Sequence, residues 1–267
     1  MDLGISGKRA LVCAASKGLG YACAAALAQA GVHVVIVARS EGPLQQAAQQ
    51  LKALGPSEVV AIAADITTPA GRTAALAAAT RLPNSGHGDY DILVTNAGGP
   101  VAGDFRDWDD AVWYEALGAN MLTPIALMRE TIDGMQARKW GRIVNITSTT
   151  VKSPSPYLGL SNGARSGLTG FVAGLARQIA SSGVTLNNLL PGTFDTDRLQ
   201  SNLVAGARQA GLELQPYITQ RIEAIPTQRF GRAEEFGAAC AFLCSQQAAY
   251  ITAQNLLIDG GAFPGTL

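Results

Sequence analysis

Two glycines, Gly18 and Gly20, sit where a backbone could close on a phosphate. The run Cys13-Ala-Ala-Ser-Lys-Gly-Leu-Gly20 leaves an apolar stretch and enters an Ala-rich stretch of helical length. Glycines there let the chain approach a pyrophosphate, whose charge a helix N-terminus then stabilises. A glycine pair alone also makes an ordinary tight turn; its place between a first strand and a first helix points to dinucleotide binding. Metal chemistry has little to work with. Cys13, Cys23, Cys240 and Cys244 lack C-x-x-C spacing, and only His33 and His87 could add ligands, so no metal site is expected. The thiols read as small core residues and both histidines as structural.

Such a loop needs a strand behind it and a helix in front. Short β-rich runs recur at Arg9 to Cys13, Val32 to Val37, Val59 to Ala63, Ile92 to Thr95, Arg142 to Thr147, Thr185 to Leu190 and Asn255 to Ile258. They are continuously apolar, which suits strands buried on both faces. Between them lie candidate helices at Leu19 to Ala30, Leu44 to Leu54, Gly71 to Arg81, Trp108 to Arg138 with an internal break, Asn162 to Ala180 and Glu234 to Ser245. This alternation predicts right-handed crossovers and an α/β fold: a Rossmann-like, doubly wound parallel sheet of about seven strands with helices on both faces. No linker interrupts the chain, so residues 1–267 are read as one domain. Between residues 193 and 230 the rhythm fails, and an insertion there, at the carboxyl edge of the sheet, is a candidate substrate loop.

Composition narrows the partners. Among 267 residues, 20 basic and 20 acidic side chains cancel, so no net field draws the chain to nucleic acid or an anionic bilayer. The longest apolar runs, such as Val32 to Ala38, fall short of the roughly 18 residues that span a membrane, and residues 1–9 hold no signal-like apolar stretch. A cytoplasmic location, with neither nucleic acid nor membrane as partner, is the expectation.

Further motifs, in order, resemble the short-chain dehydrogenase/reductase family over nearly the whole chain. The family's TGxxxGxG motif aligns with Cys13 to Gly20, with Ala14 in place of its first glycine. Thr95-Asn96-Ala97-Gly98 resembles its NNAG element, which stabilises the central sheet and touches the cofactor. Asn120 stands at the asparagine of the catalytic tetrad, Gly141 to Ser148 ends at the active-site serine, and Pro191-Gly192 with Thr196 matches the nicotinamide neighbourhood. The tail from Ile251 to Gly261 is similar to the family's last strand. The set is most similar to bacterial 3-oxoacyl-acyl-carrier-protein reductases and their relatives. The resemblance implies a homodimer or homotetramer built on the long helices that carry Asn120 and Arg165.

Charge decides between cofactors. An acid at the end of the second strand would bind both ribose hydroxyls of NAD, whereas a phosphate there needs cations. This chain has Arg39-Ser40 at that point and Lys17 in the glycine loop, so NADP(H) is favoured. Asp65-Ile66 matches the family's adenine contact. The expected cofactor set is therefore Ser16, Lys17, Gly18, Leu19, Gly20, Arg39, Ser40, Asp65, Ile66, Asn96, Ala97, Gly98, Arg165, Pro191, Gly192 and Thr196.

The chain departs from the family at its chemical centre. At the family's usual interval from Ser148, the Tyr-x-x-x-Lys pair falls on Ser161 and Arg165, a register that Gly170 supports. Spacing of i and i+4 keeps both on one helix face. In the family the tyrosine protonates the carbonyl oxygen, while the lysine holds the nicotinamide ribose and lowers the tyrosine's pKa. Arg165 can hold and supply positive charge, but a serine is a poorer acid than a phenol. Tyr157 and Lys152 are other conceivable donors, read first as a pocket-wall aromatic and a solvated loop charge; Trp113 and Phe105 read first as packing.

The leading expectation is an NADP(H)-dependent oxidoreductase interconverting a carbonyl, a 3-oxoacyl thioester or small ketone, with its alcohol. Asn120 would fix a relay water, Ser148 would bond the substrate oxygen, Ser161 would donate weakly or position water, and Arg165 would hold ribose and stabilise charge. The alternatives are an NADP-binding sensor or assembly protein with little turnover, and a reductase of a polarised double bond.

Overall fold

A computed structural model describes residues 2–83 and 88–266 of the chain. His87, expected to be structural, lies outside the described residues. Strands β1 (Arg9–Cys13), β2 (His33–Ala38), β3 (Val59–Ala63), β4 (Ile92–Thr95), β5 (Gly141–Ile146) and β6 (Val184–Pro191) belong to one sheet, two-residue strands β7 (Phe194–Asp195) and β8 (Gly231–Arg232) pair apart from it, and β9 (Asn255–Ile258) completes it. Among the described residues the main sheet has seven strands in the order β3-β2-β1-β4-β5-β6-β9, and every pairing is parallel.

Why these runs are strands is visible in which way their residues point. Successive side chains of a strand face opposite sides. Ala10, Val12, Val34 and Ile36 enter a core with Cys23, Leu27, Leu44, Leu51, Phe236 and Cys240. Leu11, Val35, Leu93 and Ile143 enter a second core with Ala75, Leu127, Met128, Leu168 and Val172. The first layer of helices is α1 (Gly18–Gln29), α2 (Glu41–Lys52) and, late in the chain, α9 (Ala233–Leu243); the second is α3 (Pro69–Ala77), α5 (Thr123–Ala137) and α6 (Gly159–Ile179). Burying a side chain such as Leu27 or Leu168 contributes about 1.5–3 kcal/mol, so both layers need their apolar stripe. His33 is structural: its Nδ1 accepts the Glu58 backbone N–H at 3.0 Å.

Two segments shape the site. The stretch read as one broken helix is α4 (Asp110–Leu117), a π-helical turn over Gly118–Leu122, and α5, so the break falls on Asn120. The stretch 193–230, without rhythm in the sequence, is not a bare loop: it holds β7, α7 (Asp197–Ala210) and α8 (Leu214–Glu223). Thr196 caps α7, its hydroxyl accepting from Leu199 N–H at 3.4 Å.

Candidate active site

The chain runs from β1 outward to β2 and β3 on one side, then returns to place β4 on β1's other flank. That reversal leaves a crevice at the carboxyl ends of β1 and β4, the place where open α/β sheets bind ligands. The glycine loop crosses it. Gly18 has φ +60°, a left-handed conformation that only glycine adopts cheaply. Gly20 leaves no space for a side chain, because the Ala14 carbonyl oxygen packs against its Cα. Ala14 itself is held at φ +50°. Lys17, the N-cap of α1, is extended and makes no side-chain cap, so the first amides of α1 remain for an anion. Ser16 and Leu19 are half-buried, with Leu19 packed on the first core.

On the crevice's other lip, the Asn96 backbone N–H points at the Cys13 sulfur, while burial pushes that thiol's pKa up to about 12. Ala97 is half-buried and Gly98 exposed. The outer rim is formed by exposed Arg39 and Ser40 with Asp65, whose carboxylate accepts from Thr67 N–H at 2.9 Å and Thr67 Oγ1 at 2.8 Å. These bonds first, and the nearby Arg39 charge in addition, hold Asp65 below its ordinary pKa. Ile66 is buried beside it. Lys17 is turned elsewhere: its Nζ lies 3.3 Å from Asp197 Oδ2, tying the glycine loop to the start of α7. Thr196 stands over the same loop, its Cγ2 3.8 Å from where a Cβ on Gly18 would lie.

The chemical half of the site is built on β5 and α6. Ser148, just past β5, accepts the Thr150 N–H on its Oγ at 3.1 Å, which leaves its O–H free to donate. Ser161 and Arg165 lie on the buried face of α6, each 8% exposed. Arg165 Nη1 donates to the carbonyl oxygens of Ile146 at 2.9 Å and Thr147 at 2.7 Å, which sets the guanidinium beside Ser148. Its Nε has no partner. Burial, and then the positive charge of Arg198, push its pKa down to about 10. Asn120 is 4% exposed on the π-helical turn, which packs against α6. Its Nδ2 donates to Ala116 O at 3.3 Å and its Oδ1 is unpartnered.

A row of polar side chains ties these strands together. Thr95 Oγ1 donates to Asn145 Oδ1 at 2.6 Å, Asn145 Nδ2 to Asn188 Oδ1 at 3.1 Å, and Asn188 Nδ2 to Asn255 Oδ1 at 2.8 Å. The chain of bonds runs across β4, β5, β6 and β9, and holds Thr95 next to Asn96. At the end of β6, Gly192 N–H donates to Ile258 O at 2.8 Å, so Pro191-Gly192 is locked to β9.

The aromatic and lysine alternatives fall as follows. Tyr157 sits on a short 3-10 turn ahead of α6 and is 63% exposed; Ser155 makes no side-chain cap, so the helix does not extend back to include it. Lys152, read as a solvated charge, is half-buried with its ammonium 5.9 Å from the Phe263 ring centroid. Trp113 does pack, edge-on to Trp108 at 6.2 Å, but Phe105 is 64% exposed, so reading it as packing is corrected. Asp197 and Arg198 were missed in the sequence, although two opposite charges directly after Thr196 were the available signal. Among the described residues, no cluster of three or more His, Cys, Asp or Glu side chains is placed to hold a metal ion, and no helix is long and apolar enough to cross a membrane.

Residues 13–262 match a family model described as enoyl-(acyl carrier protein) reductase. The chain is 32% identical over 259 residues to the bovine (Bos taurus) dehydrogenase/reductase SDR family member 4, covering 97% of this chain and 88% of the relative. It is 31% identical over 261 residues to the 3-oxoacyl-acyl-carrier-protein reductase FabG of Escherichia coli (strain K12), covering 98% and 99%. The crystal structure of L-sorbose reductase from Gluconobacter frateurii, complexed with NADPH and L-sorbose, superposes with a TM-score of 0.91 at 30% identity, over 99% of this chain and 100% of that one.

Proposed function

The chain belongs to the short-chain dehydrogenase/reductase family, and from that premise we propose that it is an NADP(H)-dependent oxidoreductase interconverting a carbonyl and its alcohol, with Ser161 and Arg165 in the places of the family's tyrosine and lysine. The observation that carries the reading is the buried Arg165 guanidinium, anchored on the β5 carbonyls beside Ser148 with Nε unpartnered. An orphaned buried donor is costly unless something arrives to use it.

The residues fit the cofactor. Uncapped amides at the start of α1 suit a pyrophosphate, exposed Arg39 and Lys17 suit a ribose phosphate, Asp65 and Ile66 flank the adenine end, and Asn96, Ala97, Gly98, Pro191, Gly192 and Thr196 surround the remainder. NADPH when bound supplies the hydride. The protein's own part is then to hold the carbonyl oxygen by the Ser148 O–H, to stabilise its developing negative charge with Arg165, and to bring a proton. Asn120 Oδ1, buried and unpartnered, is an acceptor for a water that could pass that proton to Ser161. Residues 193–230 act as the substrate lid of a single domain.

One observation favours a second reading. Ser161 is a weak acid, and reduction of a double bond conjugated to a carbonyl does not require a proton from that position; the matching family description is of an enoyl reductase. The same inference takes the enzyme to be cytoplasmic, because its apolar runs, such as those of β2 and α1, are buried in the core between the sheet and its helices. It also takes it to be a homo-oligomer, because exposed Tyr114, Leu122 and Phe171 lie on α4, the π-helical turn and α6; light scattering on a sizing column tests that.

The deciding experiment titrates the protein with NADPH and NADH, then follows nicotinamide absorbance with ketones, 3-oxoacyl thioesters and 2-enoyl thioesters. Ketone turnover supports the first reading and enoyl turnover the second. Binding without turnover makes the chain a nucleotide sensor, and failure to bind either nucleotide overturns all of them.

A further inference from the structure

Lys17 stands on the border between two regions. On one side of α1 lie α2 and the exposed Arg39 and Ser40 at the end of β2; on the other lies α9, which packs on β5 and β6 as well as on α1. A cavity of about 330 Å³ opens on this second side, between alanines of α1 and α9, and Arg39 lines no part of it. The end beside the glycine loop is charged. Lys17 and Gly18 meet Asp195, Thr196 and Asp197 there, and Lys17 Nζ donates to Asp197 Oδ2 at 3.3 Å.

The backbone sets this meeting. Lys17, the extended N-cap of α1, shares the cavity wall with Tyr21 and Ala25, four and eight residues further on and so on the same helix face. Thr196 caps α7 and its Cγ2 stands 3.8 Å from where a Cβ on Gly18 would lie, which places Asp197, the first residue of α7, beside the glycine loop. The neighbouring acid is occupied: Asp195 accepts from Gln200 Nε2 at 2.8 Å. A ribose phosphate at Arg39 asks for the same ammonium that Asp197 holds. A lysine is a single point charge, so to reach an anion beside Arg39 it must cross the glycine loop and leave Asp197. NADH, without that phosphate, makes no such demand.

We propose that Asp197 sets cofactor choice by competing with the cofactor's ribose phosphate for Lys17, so that NADPH breaks the tie between the glycine loop and α7 while NADH leaves it in place. The proposal rests on the NADP(H) reading and on Lys17 serving the phosphate. Asp197 is a positioning residue in this account and acts through Lys17 alone. Both side chains are largely exposed, which limits the competition to a few-fold in affinity. Its sign is what distinguishes it. Removing an acid that only supports the fold weakens both nucleotides, whereas removing a competitor strengthens one.

The test measures NADPH and NADH dissociation constants by fluorescence titration, at low and high salt. The proteins are the unmodified chain, Asp197→Asn, Asp197→Glu, Lys17→Met, Lys17→Met with Asp197→Asn, and Asp195→Asn, which removes an equal charge from the same cavity. Asp197→Asn should tighten NADPH ~2- to 5-fold and leave NADH unchanged, and Asp197→Glu should return the original ratio. Without Lys17 the Asp197→Asn gain should vanish, high salt should shrink it, and Asp195→Asn should give less. Weaker NADPH binding in Asp197→Asn would mean that the acid holds Lys17 ready for the phosphate, and would overturn the proposal. So would no change, equal changes for both nucleotides, a gain that persists without Lys17, or an equal gain from Asp195→Asn. Any of these with NADPH still bound by the unmodified protein sinks this inference alone; an unmodified protein that does not bind NADPH sinks the reading beneath it.

Discussion

Thr147 gives its carbonyl oxygen to Arg165 Nη1 at 2.7 Å, one residue before the serine that would hold the substrate. A lysine at 165 would reach the same carbonyls with a compact point charge; the guanidinium keeps Nε and Nη2 over after satisfying them. The substitution therefore preserves the anchor and adds a donor edge. At 161 it goes the other way, because a hydroxyl replaces a phenol and proton donation loses its ordinary group.

Restoring that group is the first prediction. Ser161→Tyr combined with Arg165→Lys should raise ketone reduction by about 10² or more, the size of a general-acid contribution, with cofactor affinity little changed. Tyr157→Phe should matter little, since Tyr157 is exposed and outside α6. Position 161 is buried, so a new ring can overpack. Circular dichroism and NADPH titration of the double variant separate a misfolded protein from a failed prediction. Collapse of turnover in Tyr157→Phe with Ser161→Ala near normal would make Tyr157 the acid.

The second prediction concerns the cofactor's phosphate. NADPH should bind more tightly than NADH, and Arg39→Asp should cost ~10- to 100-fold in NADPH affinity while sparing NADH. Lys17→Met should cost less, because Lys17 already leans on Asp197 at 3.3 Å. Fluorescence titration of the six protein–cofactor pairs decides it, and equal affinities in the unmodified protein would remove the assignment.

Most strands were legible residue by residue. Arg9–Cys13, Val59–Ala63, Ile92–Thr95 and Asn255–Ile258 stand where the apolar runs put them; β1 and β4 are buried along their whole length, as strands covered on both faces must be, while the edge strands β3 and β9 are only partly buried. Helix starts were less so: α3 begins at Pro69, with Thr68 Oγ1 capping Gly71 N–H at 3.0 Å, a cap and first-position proline that the Ala-rich pattern hid. Helices α7 and α8 left no trace because they bury so little, Leu203 and Ala207 on α7 and none on α8. Motif order singled out Asn120, Ser148, Ser161 and Arg165 as candidates. Arg198 was not singled out, because its charge reaches Arg165 only in the folded chain.

Ala14 supplies the third prediction. A side chain in the left-handed region costs about 1–2 kcal/mol, and Ala14 is held there at φ +50° with its carbonyl against Gly20. Ala14→Gly removes the strain but frees the unfolded chain by about 0.4–1 kcal/mol. The net gain should be up to about 1 kcal/mol, or roughly 2–4 °C in Tm for a chain of this size. Gly20→Ala should do the reverse and weaken nucleotide binding as well, because the displaced Ala14 carbonyl would distort the loop. Thermal unfolding with and without NADPH reads both effects; an unchanged or lower Tm in Ala14→Gly would show that the loop holds no strain there.

The last prediction is a pH dependence with a fixed sign. Burial lowers the Arg165 pKa to about 10, and the Arg198 charge adds to the lowering, so the charge present at neutral pH is lost as pH rises through that value. In the unfolded chain the guanidinium keeps its proton to far higher pH. Between the two values the unfolded state binds more protons, so this group alone would make the fold more stable as pH rises, while the site loses its cation. Activity and stability should part company there. Turnover should hold from neutrality to about pH 9 and then fall as the Arg165 charge is lost near pH 10. Removing the neighbouring charge in Arg198→Met should move the midpoint upward, whatever that variant does to the plateau, because less repulsion favours the charged form. A step in the same place in both proteins would mean that another group titrates, and a flat profile through pH 11 would mean that Arg165 keeps its proton throughout, both against the assignment of the step to Arg165.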